Sequence, residues 1–105
     1  MRWAVKIEIT KFVDEGQPGW VECSLEDAAG QKHLFIEKVP VVTLEELDAG
    51  SFYPRAGVFA CEVIERMRSE NRSIVRISTA SPWAIESVDG QTQFEVLSDQ
   101  LEEIT

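Results

Sequence analysis

Residues 2–10 decide the fold, because they read RWAVKIEIT and alternate between apolar and polar side chains. Trp3, Val5, Ile7 and Ile9 fall in one phase, and the intervening positions are mostly charged or hydroxylated. Successive side chains of a strand point to opposite faces, so this alternation predicts a half-buried strand. Comparable segments recur almost to the C-terminus, and they indicate an antiparallel sheet.

Length and composition predict one β domain over residues 1–105. A chain of 105 residues with 44% hydrophobic content buries roughly two-thirds of its unfolded surface and needs neither a disulfide nor a metal to fold. Cys23 and Cys61 both lie within apolar strand patterns, which favours buried free thiols. A disulfide between them is the alternative.

The compartment predicted from the sequence is the cytoplasm. The first residues enter a strand pattern at once, without the apolar run and small-residue cleavage site of a secretory signal. No apolar stretch approaches the roughly 20 residues that would span a bilayer, so no membrane association is expected.

Charge is the main indication of a partner. Nineteen acidic and ten basic side chains give a net charge of −9, which disfavours nucleic acid as a ligand. Residues 77–105 contain six acids and no Lys or Arg. This imbalance predicts an acidic face that binds a basic protein, and the alternative is ordinary solubility with neutralisation by arginines elsewhere. The candidate protein-binding residues are Trp20, Glu86, Glu95, Asp99, Glu102 and Glu103.

The first half of the chain predicts three strands and one helical turn. Strands are expected over residues 2–13, from residue 20, and over 33–39, with turns at 14–19 and 27–30. Thr43 and Glu46 have the spacing of a capping box, which predicts a single helical turn. Residues 48–57 are expected to form a loop that packs Phe52 and Tyr53 against the sheet.

A long hairpin is predicted next, from residues 58–68 and 73–79 around a turn at 69–72. Pairing Met67 with Ile74 places Glu65 opposite Arg76, so opposite charges match. The same register places Ile64 opposite Ile77.

The final hairpin is predicted around Asp89-Gly90, a strong two-residue turn signal. The register expected there pairs Ile85 with Phe94 and Trp83 with Val96, on one buried face. A short helix is expected after Leu97, capped by Ser98 or Asp99. Six or seven strands joined as neighbours favour a small antiparallel barrel, with a two-sheet sandwich as the alternative.

No sequence motif predicts a reaction, a metal site or a cofactor. The spacings of zinc sites and phosphate-binding loops are absent from the sequence, and the expected function is non-catalytic. The alternative function is a ligand-binding barrel lined by Phe52, Tyr53 and Trp83. A third hypothesis is an enzyme that pairs His33 with Glu22 or Glu37 as acid and base. Strand edges near Pro40 and Pro82 leave monomer and dimer both open.

Overall fold

A computed structural model describes residues 2–16 and 18–104. Met1, Gln17 of the first predicted turn and Thr105 lie outside the described residues. Seven strands, one helical turn and one 3₁₀ turn are present in the described part. They are β1 (Arg2–Asp14), β2 (Trp20–Glu26), β3 (Lys32–Lys38), α1 (Val39–Val42), β4 (Arg55–Ser69), β5 (Arg72–Ser78), β6 (Gln93–Leu97), the 3₁₀ turn (Ser98–Gln100) and β7 (Leu101–Ile104).

The strands form one antiparallel sheet that curls into a half-barrel, in the order β3-β2-β1-β4-β5-β6, with β7 beside β1. Three phenylalanines demonstrate the curl. The ring of Phe35 on β3 lies 4.7 Å from that of Phe59 on β4 and 5.6 Å from that of Phe94 on β6. Strands β3 and β6 are at opposite ends of the strand order, so their rings meet only because the sheet closes around the core.

Strand β1 organises the sheet, because it pairs with three other strands. One edge pairs with β4 and the other pairs with β2 and β7. Val5 and Ile9 are fully buried and Ile7 nearly so, as the alternation in residues 2–10 predicts. The core therefore lies on the concave side of the sheet.

The β4–β5 hairpin confirms most of its predicted register. Met67 pairs with Ile74 and Glu65 with Arg76. Ile77, however, pairs with Val63 because a bulge lies between Val63 and Glu65. The extra residue, Ile64, is 48% exposed, so the predicted contact between Ile64 and Ile77 is wrong.

The final hairpin is also wrong as predicted, because β6 pairs with β5. Phe94 lies opposite Ile77 and Val96 opposite Val75. Residues 83–88 form no strand, and Trp83 is 64% exposed while Phe94 is buried. Strand β5 offers β6 a second buried apolar row, and this tertiary pairing replaces the local one.

Residues 79–92 instead form a loop around Thr79, which is fully buried. The Thr79 hydroxyl donates a hydrogen bond of 2.7 Å to the carbonyl of Ile85, and the amide of Ile85 donates one of 2.9 Å to the carbonyl of Thr79. Pro82 lacks a ladder donor, and Ala84 has a φ of 53°, so the intervening residues turn. The predicted turn at Asp89-Gly90 is present, with Gly90 at a φ of 80° and exposed to solvent.

The predicted helices are displaced. The helical turn begins at Val39 and ends before Thr43, because proline is favoured in the first turn of a helix and Pro40 occupies it. The hydroxyl of Thr43 accepts a hydrogen bond from the amide of Glu45, outside any helix. At the C-terminal end, the predicted helix is the 3₁₀ turn followed by β7, which pairs with β1.

The loop before β4 packs one of its two aromatic rings. Tyr53 packs against the core and its hydroxyl donates to the carbonyl of Asp48 at 2.8 Å, whereas Phe52 is 89% exposed.

Cys23 and Cys61 are both buried and free, which confirms the prediction of buried free thiols. Within the described ranges, no helix has the length and apolarity needed to cross a membrane.

Candidate functional site

A groove of about 690 Å³ lies between the β1–β2 connection and the segment that follows α1. Phe12 of β1 lines it, together with Val39 and Pro40 of α1 and residues 43–48. Glu15, Gly16, Pro18 and Gly19 form the opposite wall. Volumes of 300–1,000 Å³ are typical of ligand sites, so this groove is large enough to hold part of a partner.

The floor of the groove is apolar and depends on Gly19. A Cβ atom added to Gly19 would lie 2.7 Å from Cε1 and 2.8 Å from Cζ of Phe12, closer than packed carbon atoms approach. The missing side chain therefore allows the Phe12 ring to lie against the backbone. Val39 is buried and Leu47 packs against the core, whereas Leu44 is completely exposed.

The rim of the groove is acidic, with four carboxylates among its lining residues. Glu45 forms an ion pair with Arg55. Asp48 accepts hydrogen bonds from the amide of Gly50 at 2.8 Å and the hydroxyl of Ser51 at 3.4 Å. Glu15 and Glu46 have no hydrogen-bond or ion-pair partner within residues 2–16 and 18–104. In the described part of the chain, no Lys or Arg lines the groove.

The six residues predicted to bind a partner do not share one surface. Glu95 forms an ion pair of 3.0 Å with Arg76, and Glu86 lies in the 79–92 loop. Glu102 and Glu103 are consecutive on β7, so their side chains point to opposite faces of the sheet. Asp99 is in the 3₁₀ turn. In the predicted final hairpin, Glu86 and Glu95 follow Ile85 and Phe94 in the sequence and would point together away from the buried face, but that register is the one corrected above.

Trp20 lies on the convex side of the sheet, half-buried. It pairs with Lys38 of β3, and the Lys38 ammonium lies 5.5 Å from the centre of its ring. This geometry is a cation–π contact, so the outer surface of Trp20 is partly covered by a side chain of its own sheet.

His33 is hydrogen-bonded to Asp27, not to Glu22 or Glu37. Its Nε2 atom lies 2.8 Å from Oδ2 of Asp27, and both side chains are largely buried. Glu22 accepts instead from the hydroxyl of Thr10 at 2.7 Å. Burial raises the pKa of Glu37, with Lys38 opposing the rise and Glu86 adding to it.

The ring of His33 packs edge-on against Phe94, with centroids 5.0 Å apart. The adjacent cavity, about 280 Å³, is lined by Asp27, Arg76 and Glu95 with two glutamines and Phe94. Arg76 already pairs with Glu65 and Glu95. Burial, with smaller contributions from Glu37 and Glu22, raises the pKa of the Cys23 thiol to about 12, so this thiol is a weak nucleophile.

The other predicted sites do not assemble. The exposed rings of Phe52 and Trp83 do not line the interior, which phenylalanines from β3, β4 and β6 fill. Within residues 2–16 and 18–104, no three His, Cys, Asp or Glu side chains are arranged to hold a metal ion.

The groove was missed because residues 43–47, TLEEL, were interpreted as a capped helix. The signal available was a mixture of leucines and acidic residues in residues 44–48, LEELD, shortly after Pro40, with a turn rich in Gly and Pro elsewhere in the sequence. No family model matches the chain, and neither the curated proteins nor the solved structures contain a match.

Proposed function

We propose that this protein is a non-catalytic binding protein that takes a basic protein partner into the groove lined by Phe12, residues 15–16 and 18–19, and residues 39–48. The observation that supports this function is an apolar floor beneath a rim of carboxylates, two of which have no partner among the described residues. Apolar surface provides affinity and complementary charge provides specificity and rapid association. The net charge of −9 favours a basic partner at long range.

We further propose that the protein works in the cytoplasm as an adaptor or inhibitor. The free thiols of Cys23 and Cys61 suit a reducing compartment. The proposal includes no reaction. The geometry around His33 supports this, because its imidazole is held by Asp27 and packed on Phe94.

Affinity capture with matched variants tests the proposal. The groove variant is Glu15→Gln/Glu46→Gln, and the control is Glu102→Gln/Glu103→Gln on β7. Each variant removes two negative charges, so long-range attraction falls equally in both. We expect the wild type and the control to retain a basic protein at about 50 mM salt, with loss near 500 mM as charges are screened.

The groove variant is expected to lose most of that capture. Equal capture by both variants would exclude the groove as the binding site. Loss in the β7 control alone would instead favour the acidic face predicted from the C-terminal residues.

A further inference from the structure

We infer that the groove recognises a short linear segment in which apolar side chains alternate with Lys or Arg. This inference rests on the proposed function and defines the chemical class of the partner. Its first basis is size, because about 690 Å³ accommodates a few side chains of a peptide rather than the face of a domain.

The preference for apolar side chains in the partner follows from the floor of the groove and from Leu44. The Phe12 ring lies against the backbone at Gly19, and Leu47 packs beside the core. Leu44 is fully exposed on the same groove. A leucine-sized side chain of a partner would cover Leu44 and the Phe12 ring together, removing apolar surface from water on both molecules.

The preference for Lys or Arg in the partner follows from which carboxylates of the groove already form ion pairs or hydrogen bonds. Arg55 neutralises Glu45, and Asp48 is used by the backbone of its own loop. Glu15 and Glu46 remain as the acceptors for a partner, since neither has a partner within the described ranges. Two carboxylates without basic neighbours among the described lining residues match an ammonium or guanidinium group.

Alternation follows from the shape of an extended peptide. Successive side chains of an extended chain point in opposite directions, with a period of two residues. An apolar side chain directed into the floor therefore places its neighbours toward the rim, where Glu15 and Glu46 lie.

A second copy of this chain is a poorer occupant. Each copy carries a net charge of −9, so two copies repel one another at low ionic strength. Some arginines of the β4–β5 hairpin, which a second copy could offer to the groove, already contact groups of their own chain. Arg66 lies over the ring of Trp3, and Arg72 donates to the carbonyl of Ala28.

The test is a titration of the ¹⁵N-labelled full chain with three synthetic peptides, monitored by NMR of the backbone amides. The probe is Gly-Leu-Arg-Leu-Arg-Gly. The comparison peptides are Gly-Ser-Arg-Ser-Arg-Gly, which lacks apolar side chains, and Gly-Leu-Glu-Leu-Glu-Gly, which reverses the charge. We expect the probe to shift the amides of Phe12, Leu44 and Leu47 and to bind about tenfold more tightly than either comparison peptide.

Matched variants test the residues. Glu46→Gln should weaken the probe about threefold, as expected for an exposed ion pair, and Leu44→Ser should weaken it more. Val88→Ser is the control, since Val88 is 61% exposed and lies in the loop of residues 79–92; it should leave binding unchanged. Gly19→Ala, which displaces the Phe12 ring, should shift the groove amides even without peptide.

Equal binding of all three peptides, or shifts confined to other parts of the sheet, would overturn the inference. Groove amides that shift with protein concentration alone would overturn it in favour of a second copy. Capture of an intact basic protein in a groove-dependent manner, without binding of the probe, would reject the linear segment and retain the proposed function. Absence of both would reject both.

Discussion

The Nε2 atom of His33 lies 2.8 Å from Oδ2 of Asp27, and this contact stabilises the turn between β2 and β3. Oδ1 of Asp27 accepts hydrogen bonds of 2.9 Å from the amides of Ala29 and Gln31. The amide of Ala28 then donates to the carbonyl of Glu95 on β6 at 2.8 Å. The turn between β2 and β3 is therefore hydrogen-bonded to β6, which lies at the other end of the strand order.

Replacing Asp27 with Ala should lower the free energy of unfolding by about 2–3 kcal/mol, because it removes an acceptor from three donors. Asp89→Ala is the control in an exposed turn and should cost less than about 0.5 kcal/mol. Urea unfolding at neutral pH measures both. Equal costs would show that the turn is not fastened through Asp27.

The stabilisation from Asp27 should also depend on pH. Burial alone would raise the pKa of Asp27, but hydrogen bonds from His33, Gln31 and Ala29 outweigh it and hold the pKa below its ordinary value of 3.8. Such a group stabilises the fold fully above its unfolded pKa, and the stabilisation is lost as pH falls through the folded pKa. The difference in unfolding free energy between wild type and Asp27→Asn should therefore shrink below pH 3.8. A difference that grows on acidification would contradict this sign.

Gly57→Ala should destabilise the core by about 1–3 kcal/mol through overpacking. The added Cβ would lie 2.9 Å from Cδ1 of Ile9 and 3.0 Å from Cδ1 of Ile7. Ile9→Val removes one of these methyl groups, so the same glycine substitution should cost less in that background. Thermal or urea unfolding of the four-member cycle tests the clash, and additive effects would exclude it.

Cys23 and Cys61 should resist thiol reagents in the folded protein. Burial raises the pKa of Cys61 to about 11, and that of Cys23 reaches about 12 through burial and nearby carboxylates, while the thiolate is the reactive form. Colorimetric thiol titration should detect both groups in denaturant and neither promptly without it. Cys61, 6% exposed, should react before the fully buried Cys23. Rapid reaction of both in native buffer would contradict the packing described.

Phe94→Ala should cost about 3–5 kcal/mol, whereas Trp83→Ala should cost about 0.5 kcal/mol or less. Phe94 is buried against Phe35 and His33, while Trp83 is 64% exposed. Chemical unfolding of the two variants under identical conditions makes the comparison. Similar losses of unfolding free energy in the two variants would contradict the structure and support the pairing of Trp83 with Val96 predicted from the sequence.

Local pattern predicted the elements whose signal and partner lie close together in the chain. The alternation in β1 is a property of the strand itself, and the Met67–Ile74 pairing follows from the short turn that joins its two strands. The pairing of Phe94 was predicted wrongly because the Asp89-Gly90 turn signal favours residue 85, whereas β6 pairs with the buried row of β5 that contains Ile77. The groove was not predicted either, because its walls are separated in sequence and meet only through the β1–β2 pairing and α1.

The sequence by itself determined an antiparallel β protein, the buried face of β1, the turn glycine at position 90 and the acidic net charge. These properties follow from side-chain period, backbone freedom and composition, which are local or additive. The tertiary structure alone decided that β6 joins β5 and that β7 pairs with β1. Contacts between residues far apart in the chain are selected by the packing of the whole core rather than by either segment alone. The contact between His33 and Asp27 is local, since it spans six residues across the β2–β3 turn.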